Sequence, residues 1–287
     1  MNSVELKMSE RLVTIGDMLS HVGNYLADYS GRKLSTADVG CDHGYISIYL
    51  AEKDISSSCI AMDVRKGPLS GAAANIKEQG FEDRIQTRLS DGLKELKKGE
   101  VDTVVIAGMG GDLMKRIITD SYIASLGIKA GVLQPQSELC EFRSFLRESG
   151  YHIAEERIVF EDGKYYFPML VIFDRMPADS AGQKNATAAE QPGGAARRGQ
   201  PADSLSEAIA LLRGKENVTE ADALAICNTY GEHNILRRDP LLKQYLLHGQ
   251  KINESIIKNL DEGAHAERLS TIQKDLHYMN LVLTTAF

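Results

Sequence analysis

The chain has 287 residues, 43% of them hydrophobic and 25% charged, a net charge of −7, and four cysteines (Cys41, Cys59, Cys140, Cys227) with no Cys-x-x-Cys spacing. That length suits one large domain with an appendage, and the composition is that of an ordinary globular protein. It argues against a disulfide framework or a structural zinc. No apolar run reaches the ~20 residues of a bilayer span, and "MNSVELKMSE" has no signal-peptide core, so a cytoplasmic protein with no membrane contact is expected. The acidic balance confines any nucleic-acid contact to a local basic patch.

Ser9 in "SERLVTIGDML" suits a helix N-cap, and Leu12, Ile15 and Leu19 recur on one helical face. Strand-like runs then alternate with helical text. The runs "STADVGC", "SSCIAMDV", "RIQTRLS", "VDTVVIAGMG" and "AGVLQPQ" read as strands, and "GYISIYLAEK", "GPLSGAAANIKEQG", "GDLMKRIITD" and "SELCEFRSFLRESG" as helices. Such alternation predicts an α/β fold, a parallel sheet covered on both faces. "HIAEERIVF" and "YYFPMLVIF" follow as two strands around Asp162-Gly163, a hairpin-turn pair. Five parallel strands closed by an antiparallel hairpin is the Rossmann-like sheet expected of a class I methyltransferase. The segment 178–204 has few large apolar residues to bury and reads as a linker or insertion. Beyond it, Leu242, Tyr245, Gly249, Ile252 and Ile256 recur at 3,4 spacing, as do Leu269, Ile272, Leu276, Met279 and Leu283, with "DEGAH" between. Two such seams predict an antiparallel, coiled-coil-like helical hairpin. The expected organisation is a cofactor-binding catalytic domain over 1–176, a linker over 177–204, and a helical, RNA-binding domain over 205–287.

The loop Asp38-Val39-Gly40-Cys41-Asp42-His43-Gly44 stands where a dinucleotide-binding protein carries its glycine-rich turn. Backbone N–H groups at such a helix start are expected to point at a ligand. Asp42 takes the place of the second glycine, and its carboxylate would repel a pyrophosphate. It suits a ligand with an ammonium group instead, which favours S-adenosyl-L-methionine over NAD. Asp63 at the next strand end is placed to accept ribose hydroxyls, with Val64 after it. Ser90, Asp91 and Gly92 follow the third strand, where Asp91 could receive an adenine amine. Gly108 and Met109 end the fourth, where backbone can approach a ligand and Met109 can lie on an adenine face. Each piece alone has an ordinary alternative: a tight turn for the loop or for Asp91-Gly92, a solvated strand end for Asp63. Their order on successive strand ends singles them out together.

Taken together, "SERL", "ADVGCDHGY", "VRKGP", "RLSDGL", "IAGMGG", "LQPQ" and "FEDGKYY" resemble the bacterial tRNA (adenine-N1)-methyltransferases that modify tRNA position 22 in the D arm. The resemblance spans residues 5–175, and "YGEHNILRRDPLLKQYL" resembles the start of that family's C-terminal coiled-coil domain. This chain departs from the family at the 178–204 insertion, at Cys41 and Gly44, and at Gln136, where the family often has Asn. The resemblance implies methyl transfer from S-adenosyl-L-methionine to nitrogen-1 of an adenine. That nitrogen has a free lone pair and needs positioning rather than a base, while the product ring is cationic. Asp42 is the first catalytic candidate, with the methionine ammonium as its alternative partner. Gln134, His43 and Tyr45 are candidates for orienting the base, and Gln134 is the second expected catalytic residue. Arg11 could hold the methionine carboxylate or a phosphate. The cofactor-binding set is Arg11, Asp38, Gly40, Cys41, His43, Asp63, Val64, Ser90, Asp91, Gly92, Gly108 and Met109. For tRNA the candidates are Lys115, Arg116, Arg237, Arg238 and Lys243, the last three on a stretch continuing to Lys251 and Lys258 where basic residues outnumber acidic ones. Two other readings stay open: a small-molecule methyltransferase with the hairpin as lid or dimer element, and a non-enzymatic ligand sensor with a coiled-coil module. No metal is expected, and nothing in the sequence assigns an oligomeric state.

Overall fold

In a computed structural model, which describes residues 3–173, 204–215, 217–259 and 266–287, the five expected parallel strands form next to one another. They are β1 (Leu34–Val39), β2 (Ser56–Asp63), β3 (Ile85–Leu89), β4 (Thr103–Met109) and β5 (Ala130–Pro135). The sheet order is β3-β2-β1-β4-β5-β9-β6, where β6 is His152–Glu156 and β9, Met169–Ile172, runs antiparallel to both of its neighbours. Alternate residues of the central strands serve opposite faces, so both faces are apolar. Val104, Ile106, Leu133 and Val171 join one core, while Val105, Val132, Leu170 and Ile172 join the other.

Helices α1 (Glu10–Ser20), α2 (Val22–Tyr25), α3 (Tyr45–Glu52) and α4 (Lys66–Gln79) precede α5 (Gly111–Asp120) and α6 (Leu139–Glu148). The Ser9 side chain caps α1 through the Leu12 N–H, and Ile15 and Leu19 are buried as their spacing implied. The closing hairpin differs from the expected single pair of strands. β6 and β9 pair in the main sheet, while β7 (Val159–Glu161) and β8 (Lys164–Tyr166) form a separate two-stranded ribbon. Pro168 between β8 and β9 cannot donate a ladder hydrogen bond, and it stands where one ladder gives way to the other. At the ribbon's tip Asp162 (φ 49°) and Gly163 (φ 75°) make the expected turn, both left-handed.

The C-terminal helices are α7 (Ser204–Arg213), α8 (Glu220–Tyr230), α9 (Glu232–Leu236), α10 (Pro240–Lys258) and α11 (Ala266–Ala286). The expected linker, up to residue 203, and the "DEGAH" turn lie outside the described residues. α10 and α11 pair antiparallel: Lys243 lies over the Phe287 ring, and Gln250 donates to Asn280 at 2.7 Å. Of the expected seam, Leu242 is buried and Gly249 packs on Met279, whose methyl a Cβ there would meet at 2.8 Å. Leu246 is buried as well, whereas Ile252 is 46% exposed and Tyr245 meets Tyr165 and Phe167, on the ribbon and its exit, edge-on. Among the described residues no helix is long and apolar enough to cross a membrane.

The helical part is held on the sheet edge by buried charges. Arg143 of α6 and Glu156 of β6 are both fully buried; Arg143 Nε donates to Glu156 at 3.0 Å, and Nη1 donates to the carbonyls of Asn228 (2.7 Å) and Thr229 (3.0 Å) on α8. Arg147 adds bonds to Asn228 (2.8 Å) and to both oxygens of Glu232. Gly231 (φ 81°) passes so close that a Cβ there would lie 1.8 Å from Glu156 Oε2. Arg143→Ala leaves the Glu156 carboxylate buried without its cation. It should lower the unfolding free energy of the full chain by about 3–5 kcal/mol, read from urea denaturation; a loss under about 1 kcal/mol would show that water reaches the pair.

Candidate active site

β1 pairs with β2 on one side and β4 on the other, so the chain leaves the sheet in opposite directions at the β1–β4 boundary. A crevice opens there, outside the C-terminal strand ends. After β1 the chain turns through Gly40 (φ 75°) and Asp42 (φ 48°) to Gly44, which caps α3. Gly40 is favoured by its left-handed φ, and a Cβ there would push aside the Met109 methyl, 2.4 Å away.

The loop's donors are partly committed. The N–H groups of Gly40 and Cys41 both donate to the Met62 carbonyl of β2, at 2.8 and 2.9 Å. They do not point at a ligand as a phosphate-binding turn would require, which corrects the sequence expectation for those two groups. Asp42 projects outward, its side chain 61% exposed, with its carboxylate 3.5 Å from His43 Nε2; the His43 ring stacks at 5.6 Å on Tyr45. Asp38, by contrast, is buried beneath the loop and accepts from Ser47 Oγ at 2.8 Å. Burial pushes its pKa up to about 6. Burial also raises the Cys41 thiol, with the nearby Asp38, Asp63 and Asp42 carboxylates adding to the effect, so it stays protonated and is no nucleophile.

At the end of β2, Asp63 is 5% exposed and accepts the Arg65 N–H at 2.8 Å through Oδ1. Ser90 spends its hydroxyl inside its own turn, donating to the Gly92 carbonyl and accepting from the Glu95 N–H. Asp91 is exposed and paired with Lys94, whose ammonium holds its carboxyl below the usual range. Arg11 enters from α1. Its Nη1 donates to Gln134 Oε1 at 2.8 Å, its guanidinium carbon lies 5.1 Å from the Tyr166 ring centroid, and its Nε is buried without a partner among the described residues.

Every cofactor candidate from the sequence, together with Asp42, lines this one cleft of about 690 Å³. Gln134 does not: it is fully buried, with its amide bonded to Arg11 and to the Pro135 carbonyl. Gln136, two residues on and past the strand end, faces the cleft instead. Tyr166, Glu161 and Asp162 also reach it from the ribbon; they lie in "FEDGKYY", a motif of the resemblance with no role at the site expected from the sequence. The RNA candidates are dispersed. Lys115 is ion-paired with Asp112 at 2.6 Å, Arg116 lines a small groove beside Asp91, and Arg237 is engaged by Asn234 and Asp239. Arg238 has a left-handed φ of 53°, and Lys243 rests on Phe287.

The family model described as "Methyltransferase domain" matches residues 9–169. A tRNA (adenine(22)-N(1))-methyltransferase of Bacillus subtilis is 34% identical over 162 residues, covering 56% of this chain and 63% of that protein; the matched stretch thus spans less than two thirds of that relative. A crystal structure of the B. subtilis m1A22 tRNA methyltransferase TrmK superposes with a TM-score of 0.66, covering 96% of this chain and 98% of that one at 23% identity. The M. capricolum TrmK structure with S-adenosyl-homocysteine gives 0.68, covering 96% and 99% at 18% identity. These structural likenesses, at such identities, concern the fold.

The buried Asp38 generates a pH prediction. Its folded pKa of about 6 lies above the ~3.9 of an unfolded Asp, so the folded protein binds the proton more tightly. The resulting stability is fully present below about pH 4 and is lost as pH rises through about 6. Asp38→Asn abolishes this dependence. Between pH 4 and pH 7 the variant should gain on the native chain by on the order of 2–3 kcal/mol in urea unfolding; a constant difference would mean that Asp38 titrates normally.

Proposed function

The chain belongs to the methyltransferase-domain family, and on that premise we propose that it methylates nitrogen-1 of an adenine at position 22 of the tRNA D arm, using S-adenosyl-L-methionine. The observation that carries this reading is the convergence of four strand-end motifs on one cleft in which an aspartate replaces the phosphate-binding glycine. The name of the B. subtilis relative supports the substrate. The cleft's chemistry suits the cofactor. Two loop donors are turned into the sheet, and the walls carry Asp38, Asp42, Asp63 and Asp91, which favours a cationic, phosphate-free ligand over a dinucleotide. The natural setting is the cytoplasm.

S-adenosyl-L-methionine, when bound, supplies an electrophilic methyl group on sulfur. The chain's residues position the partners. Asp63 would accept from the ribose through the oxygen that Arg65 leaves free. Asp91 would receive the adenine amine, and Met109 would lie against the ring. Arg11, oriented by Gln134 and Tyr166, would hold the methionine carboxylate. Gln134 thus acts through Arg11 as a positioning residue. Adenine N1 attacks with its in-plane lone pair and needs no base, so catalysis rests on alignment and on charge near the cationic product ring. Asp42, exposed at the loop tip, supplies that charge.

Labelled cofactor mixed with unmodified bulk tRNA should yield 1-methyladenine in the D arm, whereas small metabolites should remain unlabelled. Transfer to metabolites alone would overturn the tRNA reading, and calorimetric binding of NAD but not of S-adenosyl-L-methionine would overturn the cofactor.

Asp42→Asn keeps shape and removes charge. Turnover should fall about 10-fold or more at nearly unchanged cofactor affinity, because the charge matters chiefly in the transition state. Weakened cofactor binding with an intact single-turnover rate would reassign Asp42 to the methionine ammonium.

A further inference from the structure

The cofactor cleft is continuous with a second one. Gln136 and Tyr166 line both, and the second cleft, of about 850 Å³, lies between the β7–β8 ribbon and α10. Three features of it point to one kind of occupant. Phe160 and Tyr165 stand with ring centroids 4.6 Å apart, and Phe160 remains 39% exposed, an apolar ring offered to solvent inside a concave surface. Lys164 and Lys251 flank the rings, and neither pairs with a carboxylate among the described residues. No acidic residue among those described lines this cleft, although the chain carries a net charge of −7; the ribbon's own Glu161 and Asp162 face the cofactor cleft instead. Exposed rings beside unpaired cations and away from carboxylates suit an unpaired nucleotide: base on ring, phosphate on ammonium.

Gln136 stands at the junction. A Cβ at Gly108 would lie 3.8 Å from its Nε2 and 3.9 Å from Arg11 Nη1, so its amide sits at the inner end of the cofactor cleft. That amide has no hydrogen-bond partner within the described residues, in contrast to that of Gln134. A glutamine amide matches the N6 and N7 edge of adenine, with Oε1 accepting from N6 and Nε2 donating to N7. That pairing leaves N1 free to attack.

We propose that this second cleft admits the target nucleotide, with Phe160 as its stacking platform, Lys164 and Lys251 at its phosphates, and Gln136 selecting adenine through its N6–N7 edge. The inference rests on the tRNA reading and names where and how that substrate is held. Its test uses the full chain and a D-arm RNA carrying adenine or 7-deazaadenine at the target position. The native protein should lose about 10-fold or more in kcat/KM on the 7-deaza RNA, which lacks the N7 acceptor, and Gln136→Ala should treat the two RNAs alike. Phe160→Ala should raise KM for RNA by about 10-fold while its calorimetric affinity for S-adenosyl-L-methionine stays that of the native chain. Equal rates on the two RNAs by the native protein would remove Gln136 from base recognition, and an unchanged KM in both Phe160→Ala and Lys251→Glu would overturn the cleft. RNA binding is measured in parallel, by quenching of a 2-aminopurine-labelled RNA, so that the cleft is tested even in a native protein without transfer activity. RNA affinity lowered by Phe160→Ala in that case retains the cleft while the methylation reading fails. No RNA affinity in the native chain overturns both.

Discussion

The arrangement of this protein depends on one buried ion pair. Arg143 and Glu156 lie at the sheet edge with neither side chain reaching solvent, and Arg143 spends its remaining donors on the carbonyls of α8. The Arg143 charge is tolerable so far from water because its donors meet Glu156 Oε1 and the α8 carbonyls, while Glu156 Oε2 stays without a partner among the described residues. Those bonds set where α8 lies. Gly231, whose missing Cβ lets the chain pass Glu156, then sets where α9 and α10 leave it. With α10 so directed, Tyr245 reaches Tyr165 and Phe167, and the wall opposite the ribbon is built. A polar anchor at the sheet edge thus shapes a cleft on the strand-end side.

Charge is divided between the two clefts. The first is lined by Asp38, Asp42, Asp63, Asp91, Glu161 and Asp162 against Lys7, Arg11 and Arg65; the second has lysines and, among the described residues, no carboxylate. The two proposed ligands, a cationic sulfonium cofactor and a polyanionic RNA, need opposite surroundings, and one acidic chain offers both because the ribbon stands between the clefts. Its turn presents Glu161 and Asp162 to one side, while Phe160 and Lys164 line the other. Alternation along β7 turns Phe160 and Glu161 to opposite faces, whereas Lys164, paired with Glu161 across the ladder, lines the second cleft all the same.

The loop after β1 shows how a common turn acquires a different ligand preference. In a phosphate site the free N–H groups at the helix start carry the binding. Here the Met62 carbonyl near the end of β2 takes the N–H groups of Gly40 and Cys41, in the loop ahead of the helix start. With those loop donors turned into the sheet and Asp42 added, the same strand–turn–helix geometry favours positive charge.

Much of this was readable from the residues. The strand–helix alternation, Ser9 as a cap, Asp162-Gly163 as a turn and the four strand-end motifs are local signals, and backbone sterics and periodicity act locally. Placement on successive parallel strand ends also sufficed to gather Asp42, Asp63, Asp91 and Met109 around one cleft, since topology alone brings such ends together. What the sequence could not decide involves partners distant along the chain. Heptad spacing put Tyr245 and Ile252 in the seam with α11, but Tyr245 meets the rings of Tyr165 and Phe167 edge-on and Ile252 is exposed. Gln134 and Gln136 look alike in "LQPQ", yet a bond from Arg11, 123 positions away, holds one inside while the other stands in the cleft. Nothing in the spacing of Arg143, Glu156 and Gly231 marks them as a unit. Their meaning comes from sharing a small volume from which water is excluded, and only the tertiary structure creates that volume.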